Sequence, residues 1–301
     1  MNVTVLYGGA FAKRDQSLLS GRAVAQGLRD AGHLVTEFDV RPETLDQTLD
    51  RARDGGADVV FPVIHGEWGE DGQLQMRLEE RGLAFVGSGS AASRLGMDKV
   101  ETKRVWEKAG VPTPPWELVT DPALRASIRA PCVVKPVNSG TSLDVHICRT
   151  ADEAAKAVRG VVENTGRALV EQFISGPELT IGLLEERSLD PIRIVPRVEF
   201  FDYEAKRRLS DAEHRFDVGL PAELVGLCRQ LAERANAAVG ARDLARVDMM
   251  IDGQTLQPYL LEINTLPGLT AKSLLPQAAA HRGMPFAQLV DRLATRAHAR
   301  R

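Results

Sequence analysis

The sequence predicts an α/β protein that begins with a doubly wound domain built on a parallel sheet. Short apolar runs at residues 3–7, 34–39 and 58–63 have the length of strands. The last run is apolar almost throughout, as expected of a parallel strand that is buried on both faces. Helical segments separate the runs, and this alternation is typical of doubly wound sheets. A chain of 301 residues is long enough for two or three domains.

The first domain is assigned to residues 1–93. Its helices are predicted at residues 17–31, where Gly32 stands in position to end the helix, and at residues 70–81. A further strand at residues 84–87 completes the predicted sheet.

A second unit, residues 94–174, contains antiparallel strand signals and one clear helix start. A charged helical segment at residues 92–109 is broken by the proline-rich stretch at residues 111–115. Thr150 and Glu153 form a capping-box pattern that begins a helix. Strands are predicted at residues 132–135, 143–148 and 168–173.

The third unit, residues 175–301, is predicted to contain a strand hairpin and to end in two helices. Its longest predicted helix spans residues 221–239. An Asp-Gly turn signal at Asp252 joins two apolar strands. The strands are predicted at residues 245–251 and 258–263, and the closing helices at residues 273–281 and 286–298.

Composition and charge exclude several classes of protein. A net charge of −3 gives no general attraction to nucleic acid. The three cysteines, Cys132, Cys148 and Cys228, include no CxxC pair, which argues against a disulfide framework or a structural zinc site. No apolar run approaches the ~20 residues needed to span a bilayer, and the N-terminus has the pattern of a strand and not of a signal peptide. We expect a cytoplasmic protein without a membrane or nucleic-acid partner.

Polar side chains interrupt the two apolar strands of the predicted hairpin. Arg246 and Asp248 are two residues apart on one strand, and Glu262 and Asn264 are two apart on the other, so each pair lies on one face. Carboxylate and amide oxygens suit Mg²⁺, and an adjacent arginine would serve a phosphate or an oxyanion. The alternative is a surface salt bridge. The apolar flanks favour a metal site, because charges in a buried sheet are paired or hold a metal.

Two weaker signals follow predicted strands. Lys135 precedes a polar, glycine-containing loop at residues 138–142, whose N–H groups could close over a polyphosphate, although a solvated turn lysine is the common alternative. His65 ends a strand at the edge where α/β sheets bind ligands, but a lone histidine is more often structural, and Glu70 more often belongs to a helix start. The first turn, residues 8–17, lacks a dinucleotide or Walker fingerprint, which argues against a dehydrogenase.

Motifs along nearly the whole chain resemble the D-alanine–D-alanine ligase family of the ATP-grasp superfamily. Eight motifs occur in order, and the last is specific on its own. They are LYGG, HGEWGEDGQLQ, GSGSAASRLGMDK, VVKP, EQFISGPE, DYEAK, ARVDMMID and LLEINTLPGLTAKSLLP. The resemblance implies a three-domain ATP-grasp architecture, with ATP between the second and third domains, and a homodimer.

The family joins two D-alanines at the expense of ATP. The carboxylate of the first D-alanine is phosphorylated, because a carboxylate is a poor electrophile, and the amine of the second attacks the acylphosphate. The product, D-alanyl-D-alanine, serves peptidoglycan precursor synthesis. Phosphoryl transfer of this kind depends on placed cations and aligned substrates. The resemblance implies that Asp248, Glu262 and Asn264 hold two Mg²⁺ ions, with Mn²⁺ as a substitute.

The resemblance also implies roles for the other site residues. Arg246 and the Gly268 N–H would stabilise the tetrahedral oxyanion, and Asp15 would receive the first substrate's ammonium with His65 nearby. ATP phosphates would contact Lys99, Lys135 and Lys206, the adenine would contact the backbone of Glu171, Gln172, Phe173 and Ile174, and the ribose would contact Glu178. The second substrate's carboxylate would bind to Ser273, Leu274 and Lys206. Ser273 is expected to begin a helix, whose N-terminus favours anions.

Three catalytic or substrate-binding positions depart from the family. Asp15 stands where the family usually has glutamate, Thr141 where it commonly has serine, and Arg207 where it commonly has tyrosine. A cation at residue 207 should favour a neutral amine or an anionic acceptor over an ammonium ion. The alternatives are a related ATP-grasp ligase with another second substrate, such as D-lactate or D-serine, and a non-catalytic binding protein of this fold. The loops at residues 138–142 and 203–220 are candidate lids that exclude water.

Overall fold

The computed structural model describes residues 1–9, 13–138, 145–196 and 212–300. Within these ranges no helix is long and apolar enough to cross a membrane. The predicted site residues that lie outside the described residues are Thr141, Lys206 and Arg207.

A parallel sheet with the strand order β2-β1-β3 forms the N-terminal unit. Alternate residues of its strands enter cores on opposite faces: Val5 and Phe61 on one side, Leu6 and Val60 on the other. Helices cover both faces, as the doubly wound prediction requires. The elements are β1 (Asn2–Gly8), α1 (Arg14–Asp30), β2 (Leu34–Val40), α2 (Leu45–Asp54), β3 (Val59–Pro62) and α3 (Gln73–Glu80).

Three predicted elements of this unit differ in the structure. α1 begins at Arg14, three residues earlier than predicted. α3 begins three residues later than predicted, because Gly72 takes a φ of +91° and a Cβ there would lie 2.4 Å from the carbonyl oxygen of Ser90. Glu70 therefore belongs to the preceding loop. The predicted strand at residues 84–87 is wrong: it is reduced to a single bridge between Phe85 and Val60.

The predicted helical segment at residues 92–109 is two helices, α4 (Ser90–Met97) and α5 (Lys99–Lys108). Asp98 leaves the helical conformation with a ψ of 102°, and its side chain accepts hydrogen bonds from the N–H groups of Val100 and Glu101. An aspartate in this position caps the new helix. The break makes Lys99 the first residue of α5.

An antiparallel sheet with the strand order β4-β7-β5-β6 forms the central unit. The predicted capping box is present: Thr150 accepts from the N–H of Glu153, whose side chain accepts from the N–H of Thr150. The elements are β4 (Trp116–Val119), β5 (Cys132–Pro136), β6 (His146–Cys148), α6 (Ala151–Thr165) and β7 (Ala168–Gln172).

The C-terminal sheet has the strand order β11-β10-β8-β12-β13, with β9 paired to β8. One face packs on the helix that begins after Pro221, and the last helix packs against α1 of the N-terminal unit. The strands are β8 (Glu178–Leu184), β9 (Arg187–Ser188), β10 (Ile192–Val195), β11 (Glu213–Arg215), β12 (Leu244–Ile251) and β13 (Pro258–Asn264). The helices are α7 (Ala222–Val239), α8 (Leu274–His281) and α9 (Phe286–His298).

Candidate active site

The predicted metal residues lie together on the face of β12 and β13 that is turned away from α7. Arg246 stands opposite Asn264 in the strand register, and Asp248 stands opposite Glu262. Arg246 donates two hydrogen bonds to Asp248, from Nε to Oδ1 at 2.9 Å and from Nη2 to Oδ2 at 2.7 Å. Burial would lower the pKa of Arg246, but Asp248 holds it above its ordinary value. The salt bridge considered as an alternative is therefore present, but it is largely buried, with side-chain exposures of 20% and 13%.

The chemistry of these oxygens fits a divalent cation. Lys99 Nζ lies 3.3 Å from Glu262 Oε2. Burial would raise the pKa of Glu262, but Lys99, Lys135 and Arg246 lower it, so the carboxylate is ionised. Together with Asp248 and the amide oxygen of Asn264, it provides the hard oxygen donors that Mg²⁺ prefers. In the described part of the chain, no group of three or more His, Cys, Asp or Glu side chains could hold a metal, so amide or substrate oxygens would complete the set.

The predicted phosphate-binding lysine of β5 is held by a buried carboxylate. Lys135 Nζ lies 2.6 Å from Glu171 Oε2, and both side chains are buried. The other oxygen of Glu171 forms an ion pair with Lys103, whose side chain is fully buried in α5. Burial would raise the pKa of Glu171, but the two lysines lower it to about 2. The sequence analysis missed Lys103, and it assigned only the backbone of Glu171, as an adenine contact. The one available signal was the spacing of Lys99 and Lys103, one helical turn apart.

The predicted adenine-binding residues span the end of β7: Glu171 and Gln172 are its last two residues, and Phe173 and Ile174 follow. The N–H of Gln172 donates to the carbonyl of Pro115 at 2.9 Å, and the N–H of Phe173 donates to the carbonyl of Pro131 at 3.2 Å. Ile174 is buried. These contacts hold the segment beside the central sheet. Glu178, the predicted ribose ligand, begins β8 in the other sheet and is close enough to raise the pKa of Arg246.

The predicted oxyanion and second-substrate residues approach the start of α1. A Cβ on Gly268 would lie 2.9 Å from Ser273 Oγ and 3.6 Å from Gln16 Nε2, so only glycine fits there without a shift. Ser273 is the N-cap of α8, and Leu274 is its first residue, as predicted. Asp15 precedes Gln16 in the first turn of α1 and is exposed.

His65 is buried within a chain of polar contacts. Its Nε2 lies 3.2 Å from Ser20 Oγ and its Nδ1 lies 3.3 Å from Glu70 Oε1, while Lys13 Nζ donates to Glu70 Oε2 at 3.0 Å. Burial would raise the pKa of Glu70, but His65 and Lys13 lower it. The structure thus corrects the interpretation of Glu70 as a helix-start residue.

Glu70 lines a small pocket together with Lys99, Glu262 and Asn264. The pocket therefore joins the N-terminal unit to the predicted metal residues. Its lining brings the carboxylates of Glu70 and Glu262 together with the ammonium of Lys99.

Protein-family models match both parts of the chain. The model described as D-ala D-ala ligase N-terminus covers residues 38–88, and the model described as D-ala D-ala ligase C-terminus covers residues 105–295. The D-alanine–D-alanine ligase of Laribacter hongkongensis is 39% identical over 98% of this chain and 96% of its own length. That of Burkholderia orbicola is 40% identical over 96% of this chain and 93% of its own.

Solved structures that are similar to this chain belong to enzymes with the same name as these relatives. The D-alanine–D-alanine ligase of Bacillus anthracis in complex with ATP has a TM-score of 0.85 and 28% identity, and the alignment covers 100% of this chain and 98% of that one. The enzyme of Coxiella burnetii has a TM-score of 0.84 and 26% identity over 100% of this chain and 94% of that one. The predicted ATP-grasp fold class is thereby confirmed, and the chain belongs to the D-alanine–D-alanine ligase family.

Proposed function

We propose that this chain is an ATP- and Mg²⁺-dependent D-alanine–D-alanine ligase that supplies a peptidoglycan precursor. The observation that carries the proposal is the placement of Lys99 between two sheets. Its ammonium pairs with Glu262 of the oxygen-donor array, while its helix also contacts the central sheet that bears Lys135. Cations for a polyphosphate and oxygens for divalent ions therefore surround one cleft.

Two displacement steps account for the reaction. A carboxylate oxygen of the first D-alanine attacks the γ-phosphorus of ATP, the bond to ADP breaks, and an acylphosphate forms. The amine nitrogen of the second D-alanine then attacks the acyl carbon and loses a proton, and inorganic phosphate leaves with the electron pair of the C–O bond. Positioning and charge stabilisation account for most of the catalysis in such transfers.

Separate groups of residues would bind the metal ions, the ATP phosphates and the two amino-acid substrates. Asp248, Glu262 and Asn264 would hold the divalent ions, which neutralise charge on the phosphate oxygens when bound. Lys99 and Lys135 would bind the phosphates. Arg246 and the Gly268 N–H would stabilise the oxyanion. The carboxylate of the second D-alanine would bind to Ser273, Leu274 and Lys206. The ammonium of the first D-alanine would bind to Asp15, near His65. Glu171 to Ile174 and Glu178 would hold the nucleoside.

The proposal is tested by measuring phosphate release from ATP with Mg²⁺ and D-alanine, with the product identified by mass. We expect D-alanyl-D-alanine from the wild-type chain, a loss of turnover in Glu262→Gln, and unchanged turnover in Glu163→Gln, which alters an exposed residue of α6. Phosphate release that requires D-lactate or D-serine as acceptor would keep the mechanism and change the specificity. No turnover with any acceptor in folded protein would contradict the proposal and favour a binding protein. The homodimer and the cytoplasmic location remain predictions.

A further inference from the structure

Helix α5 presents two lysines to two different sheets. Lys99 and Lys103 are four residues apart and therefore lie on one face of the helix. Lys99 Nζ reaches Glu262 of β13 in the C-terminal sheet at 3.3 Å. Lys103 Nζ forms an ion pair with Glu171 of β7 in the central sheet. One helix face thus meets a carboxylate from each sheet of the nucleotide cleft, a half-buried one from β13 and a buried one from β7.

Lys103 is too deeply buried to reach a ligand in the cleft. Its side chain has no exposed surface, whereas that of Lys135 keeps 8%. Besides Glu171, the ammonium of Lys103 donates to Thr113 Oγ1, and the Thr113 hydroxyl donates to the carbonyl of Leu260 at 2.9 Å. Leu260 lies on β13, two residues before Glu262. The contacts of Lys103 therefore connect both sheets but stay inside the protein.

The charges explain why a buried lysine is needed here. A carboxylate paired with Lys135 alone would neutralise the cation that is proposed to bind phosphate. With Lys103 on the second oxygen, two ammonium groups share one carboxylate, and the cluster keeps a net charge of +1. The shared carboxylate also fixes the ammonium of Lys135 by a charge-assisted contact of 2.6 Å.

We propose that Lys103 is a positioning residue for nucleotide binding, which holds one oxygen of Glu171 so that Lys135 keeps a fixed ammonium and a net positive charge for the ATP phosphates. This inference rests on the proposed function, because it assumes that Lys135 meets the nucleotide. It assigns no contact between Lys103 and any substrate.

The first test compares Lys103→Met with the wild-type full-length protein. The dissociation constant of Mg²⁺·ATP is measured by titration calorimetry without D-alanine, and KM for D-alanine is measured in the ligase assay. We expect ATP binding to weaken by about tenfold or more, which is the effect of losing a charge-assisted contact, and KM for D-alanine to change less than about twofold. Lys108→Met, at the exposed end of the same helix, is the control and should match the wild type.

A second variant separates charge placement from simple destabilisation. Lys103→Met combined with Glu171→Gln removes both charges of the inner pair and restores the net charge of +1 on Lys135. We expect this double variant to bind ATP more tightly than Lys103→Met alone. Unchanged ATP affinity in a folded Lys103→Met, or a double variant that binds no better than the single, would overturn the inference. Failure of the proposed function appears separately, as absent ligase turnover in the wild-type protein.

Discussion

Arg246 combines two tasks on one side chain. Its guanidinium spans both oxygens of Asp248 with hydrogen bonds of 2.9 and 2.7 Å, and it is proposed to stabilise the developing oxyanion as well. A lysine keeps the charge but has no planar fork of donors, so it cannot hold both oxygens and a third group. We expect Arg246→Lys to lower kcat about 100-fold in the phosphate-release assay, comparable to the loss of one oxyanion donor.

The matched control for Arg246→Lys is Arg187→Lys. Arg187 lies on β9 of the same sheet, and its side chain is 84% exposed. Its replacement should leave kcat unchanged. A kcat for Arg246→Lys within about threefold of the wild type would contradict the oxyanion role.

Glu171 makes the stability of the fold depend on pH. The pKa of Glu171 is lowered from 4.5 to about 2, where burial alone would raise it and the two lysines lower it. The unfolded chain therefore binds more protons between these values, and the stabilisation present above pH 4.5 is lost as the pH falls towards 2. For a carboxyl with these pKa values, the free energy of unfolding should fall by roughly 1 kcal/mol between pH 6 and pH 3.5.

Urea unfolding at several pH values measures this contribution. Glu171→Gln is expected to be less stable throughout, because Lys103 and Lys135 lose their shared partner, but its stability should fall less steeply below pH 4.5. Glu163→Gln, which changes an exposed carboxylate, should keep the wild-type slope. Parallel curves for Glu171→Gln and the wild type would contradict the lowered pKa of Glu171, because they would mean that the folded and unfolded chains bind its proton equally.

At the scale of elements, helix α6 depends on a reciprocal cap. Thr150 and Glu153 satisfy each other's N–H groups, and Glu153 also accepts from the N–H of Arg149 at 2.6 Å. Thr150→Ala should lower the free energy of unfolding by about 1 kcal/mol, measured by urea denaturation. Thr120→Ala, in an exposed loop position, should cost little. Equal stability of both variants would show that the cap contributes nothing.

The sequence predicted the elements that carry their own local signals. β12 and β13 were recognised by apolar runs around an Asp-Gly turn, and α6 by its capping box. The prediction missed the break at Asp98, although Asp98 with Glu101 three residues later is a helix-start pattern that the structure realises as a cap. The strand predicted at residues 84–87 was too long, because apolar character alone does not determine how many residues pair with the neighbouring strand.

The site was predictable as a set of residues but not as a set of contacts. The two-residue spacing along β12 and β13 is enough to predict that Arg246, Asp248, Glu262 and Asn264 share one face. The pairing of Lys103 with Glu171 joins residues 68 positions apart, and no local pattern encodes such a contact. The same holds for Lys13 and Glu70, which meet across two loops of the N-terminal unit.

At the scale of the whole molecule, one buried carboxylate joins the first and last parts of the chain. Asp243 has no exposed surface and takes a φ of +65° just before β12. Its carboxylate accepts from the N–H of Gly87 at 2.7 Å, from Arg300 Nη2 at 2.6 Å and from Arg296 Nε at 3.3 Å. Arg300 also donates to the carbonyl of Phe85 at 3.0 Å. The cluster thus connects the N-terminal unit, the C-terminal sheet and the end of the chain.

Loss of this carboxylate should lower the stability of the fold and weaken the binding of D-alanine but not of ATP. Asp243→Ala leaves the N–H of Gly87 and two guanidinium groups without their shared partner, and we expect the free energy of unfolding to fall by about 3 kcal/mol. Asp54→Ala, at the exposed end of α2, should change the free energy of unfolding by less than about 0.5 kcal/mol.

The pocket is lined from the N-terminal unit by Glu70 and from β13 by Glu262, so a looser junction in Asp243→Ala should raise KM for D-alanine. The affinity for Mg²⁺·ATP, measured by calorimetry, should stay near that of the wild type, because the proposed nucleotide contacts lie in the central and C-terminal sheets. A parallel loss of affinity for both substrates would mean that Asp243 supports the whole cleft and not its junction with the N-terminal unit.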